Sequence, residues 1–266
     1  MHYRCPNCSL PLHDEGGALR CAAGHTFDRA AEGYVNLMVG GRKAGGAAGD
    51  SAEMIRARRS FFDLGHYRPV MAAVAGLVGG VERVLDAGCG EGSYLAAIDA
   101  PVRHGVDVSK PAVRLAARRH RGDSWAVASS YRLPYDDACF DAVVSVFAPR
   151  PFDELGRVLR AGGAVVTASP GPGHLAGLRQ MLYTEPQPHT ERPHTASEGE
   201  WAPTERARVR FDLTLGPDAA RLLLQMTPYW WSATPSQQES LGGLDTTVDI
   251  WVARHEPPSR STTRST

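Results

Sequence analysis

Lysine is nearly absent from this 266-residue chain: apart from Lys43 and Lys110, its basic residues are all arginine. Arginine forks suit phosphates and base edges, yet a coding bias would give the same composition, so both readings stay open. An excess of either charge is also missing, with 29 basic and 29 acidic residues, so composition alone does not announce a nucleic-acid binder. No apolar run approaches the roughly 20 residues of a membrane span. The opening MHYRCPNC lacks the apolar core of a secretory signal, and the expected location is cytoplasmic. Internal repeats are lacking too. A disulfide framework is not expected either. The five cysteines are odd in number, and Cys5, Cys8 and Cys21 cluster near the start, which in a cytosolic chain argues for metal. A hydrophobic share of 42% is ample for a buried core.

Four stretches of the chain differ in character. Residues 1–38 read as a small zinc-binding module with turns at Pro6–Asn7 and Gly16–Gly17. Residues 39–50 are glycine-rich and read as a flexible linker. Residues 51–256 read as one large α/β domain, and 257–266 as a disordered polar tail. Within the large domain, helices are expected over Ser51–Leu64 and Pro69–Val78. The runs ERVLDAG, HGVDVS, DAVVSVF and GGAVVTASP then alternate with helical segments at 92–98, 110–120 and 151–160, the signature of a mostly parallel sheet. Residues 184–206 read as a mobile surface loop, 217–226 as a helix and 244–254 as a final strand.

Two constellations carry chemistry. Cys5 and Cys8 form a C-x2-C pair, and Cys21 and His25 a C-x3-H pair. Zinc takes four tetrahedral sulfur or nitrogen donors, so two such pairs make a closed structural site. A module this small needs the metal to fold. Cys89 and Cys139 have no such partners and read as core or loop residues. In VLDAGCGEGSYL, Asp86 ends a strand and Gly88, Gly90 and Gly92 open a helix, which lets the backbone turn tightly against a ligand. The G-x-G-x-G spacing, with Asp107 ending the next strand where a ribose-binding acid belongs, favours S-adenosylmethionine over a nicotinamide cofactor.

The segment D-x-G-C-G-E-G resembles motif I of the class I (Rossmann-like) methyltransferases. Together with the N-terminal cysteines, EGYVNLM, GDSAEMIRARRSFFDLGHY, VASSYRLPY, ASPGPGHL and LLQMTP, it resembles the RlmA family of large-subunit rRNA guanine-N(1)-methyltransferases over about residues 3–254. The resemblance implies S-adenosylmethionine and one structural zinc ion as cofactors and 23S rRNA as partner, and suggests a homodimer. It places the metal on Cys5, Cys8, Cys21 and His25, and the cofactor on Tyr67, Gly90, Glu91 and His174, with Asp107 on the ribose and Ser129 and Ser130 near the adenine. Members modify one of two neighbouring guanines in a domain II hairpin beside the peptide exit tunnel, and one subgroup confers resistance to macrolides such as tylosin. GDSAEM and VASSYRLP resemble the housekeeping subgroup, VFAPR the resistance subgroup.

The guanine nitrogen carries a proton and lies on the pairing edge, so the base must lose that proton and be unpaired or flipped out. In VFAPR, Phe147 could stack on the base and Arg150 could hold a phosphate or the guanine carbonyl; a core phenylalanine and a surface arginine are the plainer alternatives. RNA contact is expected from the zinc module with Arg56, Arg58 and Arg59. Arg114, Arg118, Arg119 and Arg121 line one further helix and read as RNA-facing or as a solvated face. No residue identifies itself as the general base, although His174 could take the proton. Two other functions fit the residues less well: a small-molecule methyltransferase, which would leave the N-terminal module without a task, and a non-catalytic RNA-binding protein, which would leave the intact glycine loop without one.

Overall fold

The computed structural model describes residues 3–38, 51–183, 185, 201–239 and 241–258. The expected linker at 39–50, most of the expected loop at 184–206 and the tail from 259 lie outside the described residues. The N-terminal segment forms a small antiparallel sheet of β1 (His13–Asp14), β2 (Ala18–Arg20) and β3 (Thr26–Asp28). Then β4 (Val35–Asn36) leaves that sheet and pairs in parallel with β7 (Ser124–Val127) of the large one. The segment expected as a separate module thus shares a sheet with the rest of the chain. It also shares a core: Tyr3, Leu12, Leu19 and Leu37 pack in one buried cluster with Leu85, Val106 and Tyr135.

Ser51 starts α1 (Ala52–Asp63), its hydroxyl accepting from the Met54 N–H at 3.2 Å. Such a side-chain cap satisfies an otherwise unpaired donor. Pro69 sits in the first turn of α2 (Arg68–Val78), where its missing N–H costs nothing. The large sheet is then built from β5 (Arg83–Ala87), β6 (Val102–Asp107), β7, β8 (Phe140–Val146), β9 (Leu159–Pro170), β10 (Pro203–Leu215) and β11 (Leu244–His255). Among the described residues its order is β10-β11-β9-β8-β5-β6-β7-β4, with β11 antiparallel to both its neighbours. The central strands are buried on both faces, which is why their sequences are mostly apolar runs. The strand order reverses between β5 and β8, the crevice where such sheets bind ligands beyond the carboxyl ends of their strands.

Helices α3 (Ser93–Ala96), α4 (Lys110–Arg119), α5 (Phe152–Val158), α6 (Ala176–Leu182), α7 (Pro217–Gln225) and α8 (Pro235–Glu239) complete the layers. Three expectations are corrected. The helix at 92–98 is a single turn, the helix at 151–160 stops at Val158 as β9 begins, and residues 203–206 belong to a strand instead of a loop. Strand β10 is an addition to the expected elements, although Ala207, Val209, Phe211, Leu213 and Leu215 alternate with polar residues, the period of a half-buried strand.

Candidate functional site

In the small sheet, the ligand atoms of Cys5, Cys8, Cys21 and His25 all lie within 4.8 Å of one another. The Cys8 and Cys21 sulfurs are 3.6 Å apart, and His25 Nδ1 lies 3.6 Å from Cys5 Sγ and 3.4 Å from Cys21 Sγ. A tetrahedral zinc site with ordinary bond lengths has edges of about 3.8 Å between sulfurs and about 3.6 Å between sulfur and nitrogen. The donor set and its spacing therefore fit zinc bound through Nδ1 of His25, closed on all sides.

The glycine loop lies at the carboxyl end of β5. Gly88 has φ +94°, and a Cβ there would come 2.5 Å from that of Ala148; Gly92 has φ +87°, with Trp125 against it. Only glycine allows both the backbone angle and the approach. The Asp107 carboxylate shapes this loop from β6, accepting from Gly90 N–H at 2.9 Å and Ser109 N–H at 2.8 Å. Asp86 is 1% exposed and its Oδ1 has no hydrogen-bond partner among the described residues. Burial, with Asp107 and Glu91 nearby, pushes its carboxyl up to about 8, since both effects disfavour the charged form. The Tyr94 hydroxyl beside the loop is likewise buried without a partner. An uncompensated buried acid at a glycine cradle calls for a ligand that brings positive charge, and S-adenosylmethionine carries both a sulfonium and an ammonium.

Aromatic side chains wall the crevice. Phe147, the residue after β8, is 45% exposed and takes φ +52°. That left-handed conformation costs a residue with a Cβ about 1–2 kcal/mol. Strain of this kind persists where the surroundings impose it, often at a working site. Its ring stacks on His174 (centroids 6.2 Å, 16° between planes) and meets Tyr94 edge-on, while Tyr67 meets His174 edge-on from the start of α2. His174 Nδ1 accepts from the Asp249 N–H at 3.3 Å. The neutral ring therefore carries its proton on Nε2 and presents a donor there.

Other expected residues fall into different places. Ser129 lies in a turn after β7, its hydroxyl accepting from Tyr131 N–H at 3.2 Å, beside a cleft of 830 Å³ between the zinc-site sheet and the large one, lined in part by Arg4, Met38 and Arg132. Arg56 is exposed on α1. Arg58 is half-buried and donates to the Met226 carbonyl at 3.2 Å. Arg59 bridges buried Glu91 at 3.2 Å, Ser93 at 3.1 Å and Asp63, which occupies it with groups of this chain. Arg150, expected to hold a phosphate or the guanine carbonyl or else to be a surface arginine, is buried at 5% exposure. Arg114 and Arg118 clamp Glu32 at 2.6 and 3.1 Å, tying the N-terminal segment to α4. Among the described residues, no helix is long and apolar enough to cross a membrane.

Comparison with known proteins accords with both sites. Residues 3–44 match the RlmA N-terminal zinc ribbon and residues 85–167 a methyltransferase domain. A 23S rRNA (guanine(748)-N(1))-methyltransferase of Streptomyces fradiae is 36% identical over 255 residues, spanning 89% of this chain and 88% of that protein. A provisionally named 23S rRNA (guanine-N(1)-)-methyltransferase of Micromonospora griseorubida is 38% identical over 291 residues, spanning 96% of this chain and 97% of that one. Among solved structures, geranyl diphosphate methyltransferase in complex with SAM is 18% identical with a TM-score of 0.46, covering 80% of this chain and 93% of that chain. The fold is that of class I methyltransferases with an N-terminal zinc ribbon; S-adenosylmethionine and a structural zinc ion are its cofactors.

Proposed function

The chain belongs to the family of 23S rRNA (guanine-N(1)-)-methyltransferases, and from that premise we propose that it methylates N(1) of one guanine in a domain II hairpin of 23S rRNA beside the peptide exit tunnel. The observation that carries the reading is a likeness of 36–38% identity, along nearly the whole chain, to proteins named for this reaction. The glycine loop, Asp86 and Asp107 would hold S-adenosylmethionine, with Tyr67, Glu91 and His174 beside it and Ser129 towards the adenine. The bound cofactor supplies an electrophilic methyl group on a sulfonium. What remains for the protein is alignment of that carbon with the acceptor nitrogen.

Phe147 stacks on the flipped guanine, as aromatic side chains do with unpaired bases. The strained backbone that holds its ring at the crevice favours this reading over a core role. Nε2–H of His174 donates towards the cofactor or the base, and the guanine proton leaves to solvent or to a group of the RNA. The ribbon and Arg56 contact the RNA, whereas Arg58 and Arg59 hold α1 and Glu91 in place. A homodimer would join two such surfaces into one cleft, testable by light scattering.

Incubating the purified protein with unmodified 23S rRNA and methyl-labelled cofactor, then mapping by primer extension, tests the assignment. Label on a domain II guanine is expected, and position 748, for which the Streptomyces fradiae relative is named, is the first to inspect. Label on another base, or none, refutes the reading. A role in macrolide resistance predicts a raised inhibitory concentration of tylosin in a sensitive host expressing the chain.

A further inference from the structure

His174 sits on a loop, residues 171–174, that a single buried residue grips by backbone and side chain alike. Asp249 on β11 is fully buried. Its N–H donates to His174 Nδ1, its carbonyl accepts from Gly171 N–H at 2.7 Å, and its Oδ2 accepts from Gly173 N–H at 2.9 Å. The fit is close. A Cβ on Gly171 would lie 2.8–2.9 Å from the carboxylate atoms, and one on Gly173 would lie 3.0 Å from Oδ2. The two glycines of Gly171-Pro172-Gly173 are thus what lets the loop lie on this carboxylate.

A buried carboxylate needs a counter-charge. Arg208 supplies it from β10, with Nε 2.7 Å from Oδ1 and Nη2 2.9 Å from Oδ2. Such a two-pronged pair has a fixed geometry. The guanidinium also lies over the Trp251 ring, 5.1 Å from the centroid, so the fork is held from behind. From the outermost strand, then, a chain of contacts runs Arg208, Asp249, His174, Phe147, and it ends on the ring at the crevice.

We propose that Asp249, fixed by Arg208, is a positioning residue for methyl transfer: its carboxylate sets the 171–174 loop and so the place of His174 and, through that ring, the face of Phe147. The assignment rests on the reading that this crevice binds S-adenosylmethionine and guanine. Asp249 touches neither; it acts through His174. If the carboxylate served stability alone, its replacement would lower the melting temperature without coupling to His174.

The test is a double-mutant cycle on the full chain, reading S-adenosylmethionine affinity by calorimetry and kcat and KM on an rRNA fragment. Asp249→Asn and His174→Ala are each expected to weaken cofactor binding about tenfold, and the double variant to be no weaker than His174→Ala, a coupling of the size seen for residues in one hydrogen-bond network. Arg208→Lys keeps the charge but loses the fork, and should fall between wild type and Asp249→Asn; it replaces Asp249→Asn in the cycle if that variant does not fold. Losses that multiply in the double variant, or an Asp249→Asn protein that binds and turns over like wild type, overturn the proposal. A wild-type protein that binds no S-adenosylmethionine instead defeats the functional reading, and the proposal with it.

Discussion

On the proposed placement of the cofactor, the carboxyl of Asp86 makes its binding a proton-linked event. It is buried, its Oδ1 lacks a partner, and burial together with Asp107 and Glu91 raises it to about 8. In the free protein the group is therefore mostly neutral at neutral pH. A cationic ligand favours the ionised form, so binding must expel the proton. If the anion is the binding form, apparent Kd scales as one plus the ratio of protonated to ionised Asp86. With a carboxyl near 8 this factor is about 100 at about pH 6 and about 4 at about pH 7.5, an affinity gain of about 25-fold over that interval. Titration calorimetry in two buffers of different ionisation enthalpy reads both quantities, and about one proton should be released per cofactor near pH 6. Asp86→Asn should bind weakly and show no such slope. The cofactor-free protein tests the same carboxyl independently. Because the folded carboxyl is raised, its contribution to stability is fully present below the unfolded value near 4 and is lost as pH rises through about 8. Melting temperature of cofactor-free wild type should therefore fall relative to Asp86→Asn over that window, and added cofactor should reverse the difference. A wild-type Kd independent of pH, with no proton release, would refute the reasoning.

Chelation of the zinc, or Cys21→Ser, should melt the ribbon and loosen the shared core. A loss of about 2 kcal/mol would lower the melting temperature by about 4–8 °C, read by calorimetry alongside release of one metal equivalent into a colorimetric indicator. Phe147→Gly and Phe147→Ala should each reduce kcat/KM on the rRNA fragment about tenfold or more through lost base stacking, with cofactor Kd nearly unchanged. The backbone at this position has φ +52°, which suits glycine. The glycine variant should therefore be about 1 kcal/mol more stable than the alanine variant in urea melts. Gly88→Ala would place a methyl 2.5 Å from Ala148 Cβ, so cofactor affinity should fall at least about tenfold by calorimetry while zinc content is retained.

The parallel sheet was legible because strands buried on both faces must be mostly apolar, as in DAVVSV. The metal cluster was legible because ligand spacing is written in the chain itself. β10 was missed where its alternation begins inside a stretch rich in proline, histidine and threonine, composition masking period. The arginines show a deeper limit. Arg56, Arg58 and Arg59 look alike in sequence, yet one is exposed, one donates to a carbonyl at the end of α7 and one bridges Glu91 and Asp63. Which partner a guanidinium finds depends on elements far along the chain. The same holds for Asp249, whose importance depends on the distant Gly171–His174 loop and which no local motif marks.

The large sheet has two edges, and the chain guards them by unlike means. Along β10 the exposed positions carry Glu205, Arg206, Arg210 and Asp212, charges that discourage a second sheet from adding on. At the other edge β7 has no such guard. Its open backbone groups are covered by the two residues of β4, with the Leu37 N–H donating to the Val127 carbonyl at 2.9 Å. That short cover belongs to the ribbon, and the ribbon depends on its metal. An ion remote from the methyl-transfer chemistry thereby also keeps a strand edge covered: zinc-starved protein would bare that edge to its neighbours, and scarcity of zinc would surface as self-association as well as lost RNA contact.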